Sequence, residues 1–261
     1  MLRSLGYRFF YSYRVYIFLL LVLVLVSYDV VLNIGNFRGA PLLEQRMLLS
    51  STSQGHIVVI ALFWVYPLYV LLVSGERVLL EQHQGIDLIE KTRLRDRKTI
   101  DLSGLVESSW TALIVCLGLL VNSALVHLLI HDVAGPSKVD KQFMDMIELF
   151  KSWHWMGHWV FTHPASAYLV YVLLLFFILT AIGFFTLSLI RCFPDRKIAY
   201  PITFIYWLAW WFTPLDLSMA MQPFTEYGLS YAVTTTGLFC GLTLLLAFGV
   251  LFVRRWHNDQ I

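Results

Sequence analysis

Two histidine pairs, His127/His131 and His154/His158, are the residues best spaced for chemistry in this sequence, with His163 close by. A spacing of four puts both imidazoles on one face of a helix, where they can share a metal ion. Asp132, Asp145 or Glu148 could add a carboxylate. That donor set would suit a metal-dependent enzyme embedded in a membrane. Other features weigh against it. Leu128 and Trp155 follow the first histidine of each pair, so the H-E-x-x-H pattern of zinc hydrolases is absent. The denser histidine clusters of membrane desaturases are also missing. Trp153, Trp155 and Trp159 surround the second pair, which fits an aromatic belt at a membrane surface. The histidines are therefore kept as metal candidates, and the expectation is that no metal is bound.

The second chemical feature is a charged stretch, Ser74 to Lys98. Glu76 opens a helical run to Gln84, and Gly85 breaks it. Ile86, Leu88 and Ile89 then form an apolar knob, and Thr92-Arg93-Leu94-Arg95-Asp96-Arg97-Lys98 closes the stretch. The pattern predicts two short amphipathic helices broken at Gly85. It suits a docking surface, and equally a solvated, positively charged loop that anchors the chain. Buried acids in series, which an ion-driven carrier would use, are not apparent. Asn122 is the clearest polar residue inside an apolar run, and a hydrogen bond between helices is its expected role.

These groups must be held by elements of a particular kind. Of 261 residues, 58% are hydrophobic and 14% charged. Soluble domains carry roughly 25% charged residues, and a soluble fold could not hide so much apolar side chain. Composition thus points to an all-α, polytopic membrane protein. A spanning helix needs about 20 apolar residues. Six segments qualify, near 15–34, 56–73, 109–130, 165–190, 200–215 and 229–253. The fifth is short and ends at Pro214. The first resembles a signal peptide but lacks a small-residue cleavage site, so it is read as a retained helix. The whole of 1–261 is one transmembrane domain. Its cytoplasmic segment is 74–108 and its outer interfacial segment 131–164, the latter helical from Val139 to Trp159. Gly237-x-x-x-Gly241 has the spacing of a helix-packing motif.

Basic residues set the orientation. With the first residue inside, 14 of the 19 Lys and Arg fall on inner segments and 5 on outer ones. The positive-inside rule therefore predicts both termini in the cytoplasm. Cys116, Cys192 and Cys240 are expected to be free thiols. A net charge of +2 gives no reason to expect nucleic acid.

The stretch after the second helix resembles the cytoplasmic coupling region of ABC-2-type transporter permeases. Glu76, Gly85, Ile86, Leu88, Ile89, Thr92, Arg93, Arg97 and Lys98 match that region's features in order. The six-helix layout, the basic opening Met1–Arg14 and Pro164 before helix four match as well. The family's usual Pro in the turn is replaced by Leu94 or Arg95. The resemblance implies a permease subunit of a bacterial exporter in the cytoplasmic membrane. Its substrate would be amphiphilic: a peptide, bacteriocin, drug or lipid-like molecule. A separate ABC ATPase would bind ATP and magnesium, with no cofactor on this chain. A second permease, identical or related, would complete the complex. Glu76, Gly85, Ile86, Leu88, Ile89, Arg93 and Arg97 would form the ATPase-coupling surface. A membrane-embedded metal enzyme, or a non-transporting immunity or assembly protein, is the alternative.

Overall fold

The computed structural model describes residues 2–37, 62–85, 97–130, 156, 159–160, 163–221 and 228–258. Every regular element among them is helical. The helices are α1 (Leu2–Phe10), α2 (Tyr13–Phe37), α3 (Tyr66–Val70), α4 (Glu76–His83), α5 (Arg97–Ile130), α6 (Pro164–Cys192), α7 (Arg196–Ala209), α8 (Leu217–Ala220) and α9 (Gly228–Asn258). A π-helical turn, Leu71–Gly75, joins α3 to α4 without interruption.

Among the described residues four helices are long and apolar enough to cross a membrane: Tyr13–Leu32, Leu102–Leu125, Ser166–Cys192 and Gly228–Arg254. They coincide with the first, third, fourth and sixth predicted segments. The other two are built differently. Residues 56–61 of the second lie outside the described residues; the rest runs through α3 into the π turn, and the helix continues past it as α4. In the fifth, α7 starts earlier than Tyr200 and stops at Ala209, short of Leu215. There the chain turns, with Leu217 N–H donating to the Trp210 carbonyl, and Asp216 caps α8 by accepting from Ser218 N. At fourteen residues, α7 is about 21 Å long, less than the roughly 30 Å hydrocarbon core. The third predicted segment also extends further: α5 begins at Arg97, so residues 97–108 of the expected loop are its opening turns.

Contacts fix the direction of each helix. Val22 lies against Gly118, and Asn122 Nδ2 donates to the Val26 carbonyl at 2.7 Å, so α2 and α5 run the same way. Arg191 meets Ser103, Gly183 meets Ser108, and Val172 meets Cys116, so α5 and α6 are antiparallel. Val70 beside Gly183 and Gly75 beside Ile190 align α3–α4 with α6. The turn Phe193–Asp195 and the Phe185–Tyr206 ring contact at 4.9 Å send α7 back. Phe184 against Phe248, with Ala167, Tyr171, Leu229 and Ala232 clustered further up, aligns α9 with α6. Direction therefore alternates along the chain: α2, α3–α4, α5, α6, α7, α9.

The hub is α6. Protein buries 78% of its apolar span, against 33% for α2 and 28% for α9. Glycine permits close approach: a Cβ on Gly183 would lie 2.7 Å from Ser108 Cβ. By contrast Gly237 and Gly241 have open space around them, so that motif packs nothing within the described residues. The Asn122 bond is the helix–helix contact that its place in the sequence suggests. Cys116, Cys192 and Cys240 are free thiols.

Candidate functional site

The segment from Tyr66 to Gly85 leaves the bundle at the end that holds Arg14, Arg191 and Arg196. Pro67 starts α3 where its missing N–H costs nothing. The π turn then closes one ring too wide, with Glu76 N–H donating to the Leu71 carbonyl. Arg14 Nη1 donates to the neighbouring Leu72 carbonyl at 3.3 Å, from α2. Ser74 is fully buried, and Gly75 lets α6 close in: a Cβ there would sit 2.5 Å from Ile190 Cδ1. π turns of this kind are rare and cluster where helices do work.

Beyond the turn, α4 is tied to four other helices. Glu76 accepts from Arg196 Nη2 at 2.5 Å and from the Tyr200 hydroxyl, both on α7. Arg77 forms a close ion pair with Glu107 of α5, and its Nε lies 3.8 Å from Glu81. Glu81 also faces Arg8 of α1 at 3.9 Å. Gln82 Nε2 donates to the Arg191 carbonyl at the end of α6, at 3.3 Å. Arg191 itself is buried and donates to Ser103 Oγ at 2.7 Å. Gly104 makes room for it: a Cβ would stand 3.0 Å from its Nη1.

Burial ranks these contacts. The Glu107 side chain is 3% exposed and Arg77 19%, whereas Arg196 is 61% exposed. A pair such as Arg77–Glu107 is costly to break, because removing one partner strands a buried charge. The Glu76–Arg196 pair is screened on one side and contributes less. Together the contacts bind α4 to α1, α5, α6 and α7. A force applied to α4 would reach all four.

The helix ends at His83, and Gly85 follows with φ +69, a left-handed conformation suited to glycine. The first of the two expected helices therefore ends just before Gly85, and residues 86–96, which would hold the second, lie outside the described residues. Leu80 is 45% exposed, and His83 and Gln84 are also exposed, so α4 presents its end outward. Of the expected coupling residues, Glu76 and Gly85 are placed here and Arg97 opens α5. Ile86, Leu88, Ile89 and Arg93 lie outside the described residues.

The histidines are less defined. His127 belongs to the last turns of α5, and His131, His154 and His158 lie outside the described residues. His163 precedes α6, exposed, its ring stacked on Trp159 at 6.2 Å. No group of three or more metal-binding side chains occurs among the described residues.

Sequence reasoning missed several partners. Arg191 and Arg196 entered only as topological charges, and Glu107 not at all. A signal existed, since Glu107 is an acid among Ser103, Ser108 and Ser109 at the start of an apolar run. Asp29, fully buried in α2, was also passed over.

No family model matches the chain, and no solved structure matches it. The chain is similar to a protein of Bacillus subtilis (strain 168) that bears the name uncharacterized protein YybM. The two are 23% identical over 212 residues, covering 81% of this chain and 82% of that protein.

Proposed function

We propose that this chain is the permease subunit of an ATP-driven exporter similar to the ABC-2 class. It crosses the bacterial cytoplasmic membrane six times with both termini inside. A separate ATPase docks on Ser74–Lys98, and a second permease completes the path for an amphiphilic substrate. ATP and magnesium belong to the ATPase.

The observation that carries this reading is the anchoring of α4. The segment that resembles a coupling region is held through Glu76, Arg77 and Gln82 to α7, α5 and α6. A chain without a nucleotide site receives work through a contact surface, and this surface has a mechanical path into the bundle. The alternating helix directions support six crossings, with α3–α4 and α7 as the short ones. The 14-to-5 distribution of basic residues supports the orientation.

The test is purification of the tagged chain from its native membrane. A subunit with a phosphate-binding loop should accompany it and hydrolyse ATP. Leu88→Asp with Ile89→Asp should release that subunit while the permease stays inserted. An intact chain that never carries a nucleotide-binding partner would refute the reading. Stoichiometric zinc or iron, lost on His154→Ala with His158→Ala, would replace it with the metal-enzyme alternative.

A further inference from the structure

An acid lies inside the apolar span of α2 and takes no part in the surface described above. Asp29 is fully buried, about 5 Å along the axis from the span's end at Leu32, the end remote from Arg14. Ionisable residues inside a membrane span are costly and point to function. Val22, Val26 and Asp29 follow one another at spacings of four and three, so they share a helix face. Val22 and Val26 meet Gly118 and Asn122 of α5. That face is therefore the α2–α5 seam, and Asp29 stands one turn beyond the bond between Val26 and Asn122.

Asn122 brings an acceptor to the same seam. Its Nδ2 is spent on the Val26 carbonyl, while its Oδ1 is buried with no hydrogen-bond partner among the described residues. A buried acceptor without a donor is costly, the more so where lipid excludes water. Asp29 already makes contacts of its own, and a carboxylate with about four acceptor positions can take a further donor. No Lys or Arg occurs after Arg14 in α2 or after Lys98 in α5. The seam thus offers oxygen acceptors and negative charge, with no basic side chain on either of its own helices within the apolar spans.

We propose that Asp29 and Asn122 form an acceptor site for the primary ammonium group of an amphiphile. An ammonium carries three N–H donors and a positive charge, enough to meet both the carboxylate and Oδ1. A bare cation such as calcium gathers about six to eight oxygens, more than these two side chains offer. An alcohol would serve Oδ1 and leave the charge unmatched. The surroundings suit an apolar tail. Val22, Val26 and Val30 are buried along the seam, and Tyr28 and Val121, next to the two polar residues, are exposed. The head can reach in while the tail lies along the lipid-facing surface. Read as cargo, the amphiphile names a substrate class and rests on the exporter reading above; the binding site itself does not.

The experiment is photolabelling of the purified chain in phosphatidylcholine nanodiscs. The probe is a long-chain primary alkylamine with a diazirine beside the amine. Its matched controls are the alcohol and the trimethylammonium of the same chain. The amine should label residues 25–32 or 119–125 saturably, and both controls several-fold less. Asp29→Asn should weaken amine binding by about tenfold or more, the loss of one hydrogen bond to a charged group. Equal labelling by the alcohol would mean simple partition into lipid. Equal labelling by the trimethylammonium would mean charge without N–H donation, and either result overturns the site. A folded Asp29→Asn chain that keeps the parent's affinity overturns it too. If that variant does not fold, the comparison of probes on the unmodified chain still decides. Phosphatidylethanolamine carries the same ammonium, so discs containing it separate the sources. Displacement of the probe assigns a resident lipid, and lack of displacement a cargo amine. Amine binding by a chain that never carries an ATPase would refute the exporter and keep the site.

Discussion

Glu107→Leu tests whether the buried pair on α5 holds α4 in place. Glu107 is almost wholly buried, so its loss leaves Arg77 facing an apolar wall. Breaking a buried ion pair from one side costs about 3–5 kcal/mol. Here Arg77 is 19% exposed and keeps Glu81 at 3.8 Å, which brings the expected cost below that range, to about 2–3 kcal/mol. For a chain of this size each kcal/mol corresponds to roughly 2–4 °C. Thermal unfolding in detergent, followed by tryptophan fluorescence, should therefore fall by about 4–12 °C. Arg77→Met in the same chain supplies the decisive arm. Replacing both charges with apolar side chains removes the stranded charge and should recover most of the loss, since Glu81 still faces Arg8. A Glu107→Leu variant as stable as the parent, or a double variant as unstable as the single one, would refute the idea that this pair carries the anchoring.

Gly183→Ala should destabilise by about 1–3 kcal/mol, as overpacking does, because the new methyl would meet Ser108 Cβ at 2.7 Å; Gly241→Ala, with open space around it, should leave the unfolding temperature unchanged. Asn122→Leu should cost about 0.6–1.7 kcal/mol, the range for hydrogen bonds between membrane helices, read as a small drop in the same assay. Gly85→Ala should cost about 1–2 kcal/mol at a left-handed position, and substitution by asparagine should cost less. For topology, a cysteine at Ser137 should react with an impermeant reagent on intact cells while one at Gln84 stays silent; reaction at Gln84 would reverse the proposed orientation.

The apolar spans were legible because about 20 continuous apolar residues leave few alternatives to a membrane helix. The helix end before Gly85 and the bond made by Asn122 were legible for local reasons: one residue lacks a Cβ, the other is polar in an apolar run. The anchoring network was not. Glu107 and Arg191 are far apart in sequence, and what makes them matter is that α5 and α6 are antiparallel with Ser103 opposite Arg191. That register follows from packing at Gly183 and Gly104, which no single segment encodes. The histidine pattern drew attention through spacing alone, and three of its four members lie outside the described residues. The π turn left no mark in the sequence, and the side chains set against it, Arg14 and Ile190, come from other helices.

That turn also constrains what the lineage of this chain can tolerate in length. A π turn accommodates one residue more than an α turn between the same anchor points. Deleting a single residue such as Leu72 would let the backbone close as ordinary α-helix between the same anchors and leave α4 in place, whereas inserting one residue more would rotate everything beyond by about 100° about the axis, one residue at 3.6 per turn. Glu76 would swing away from Arg196 and Arg77 away from Glu107 together. Substitutions within Leu71–Gly75 can be absorbed one at a time. A further insertion there re-aims the whole of α4, so insertions should be excluded from this stretch while loss of the one extra residue is absorbed.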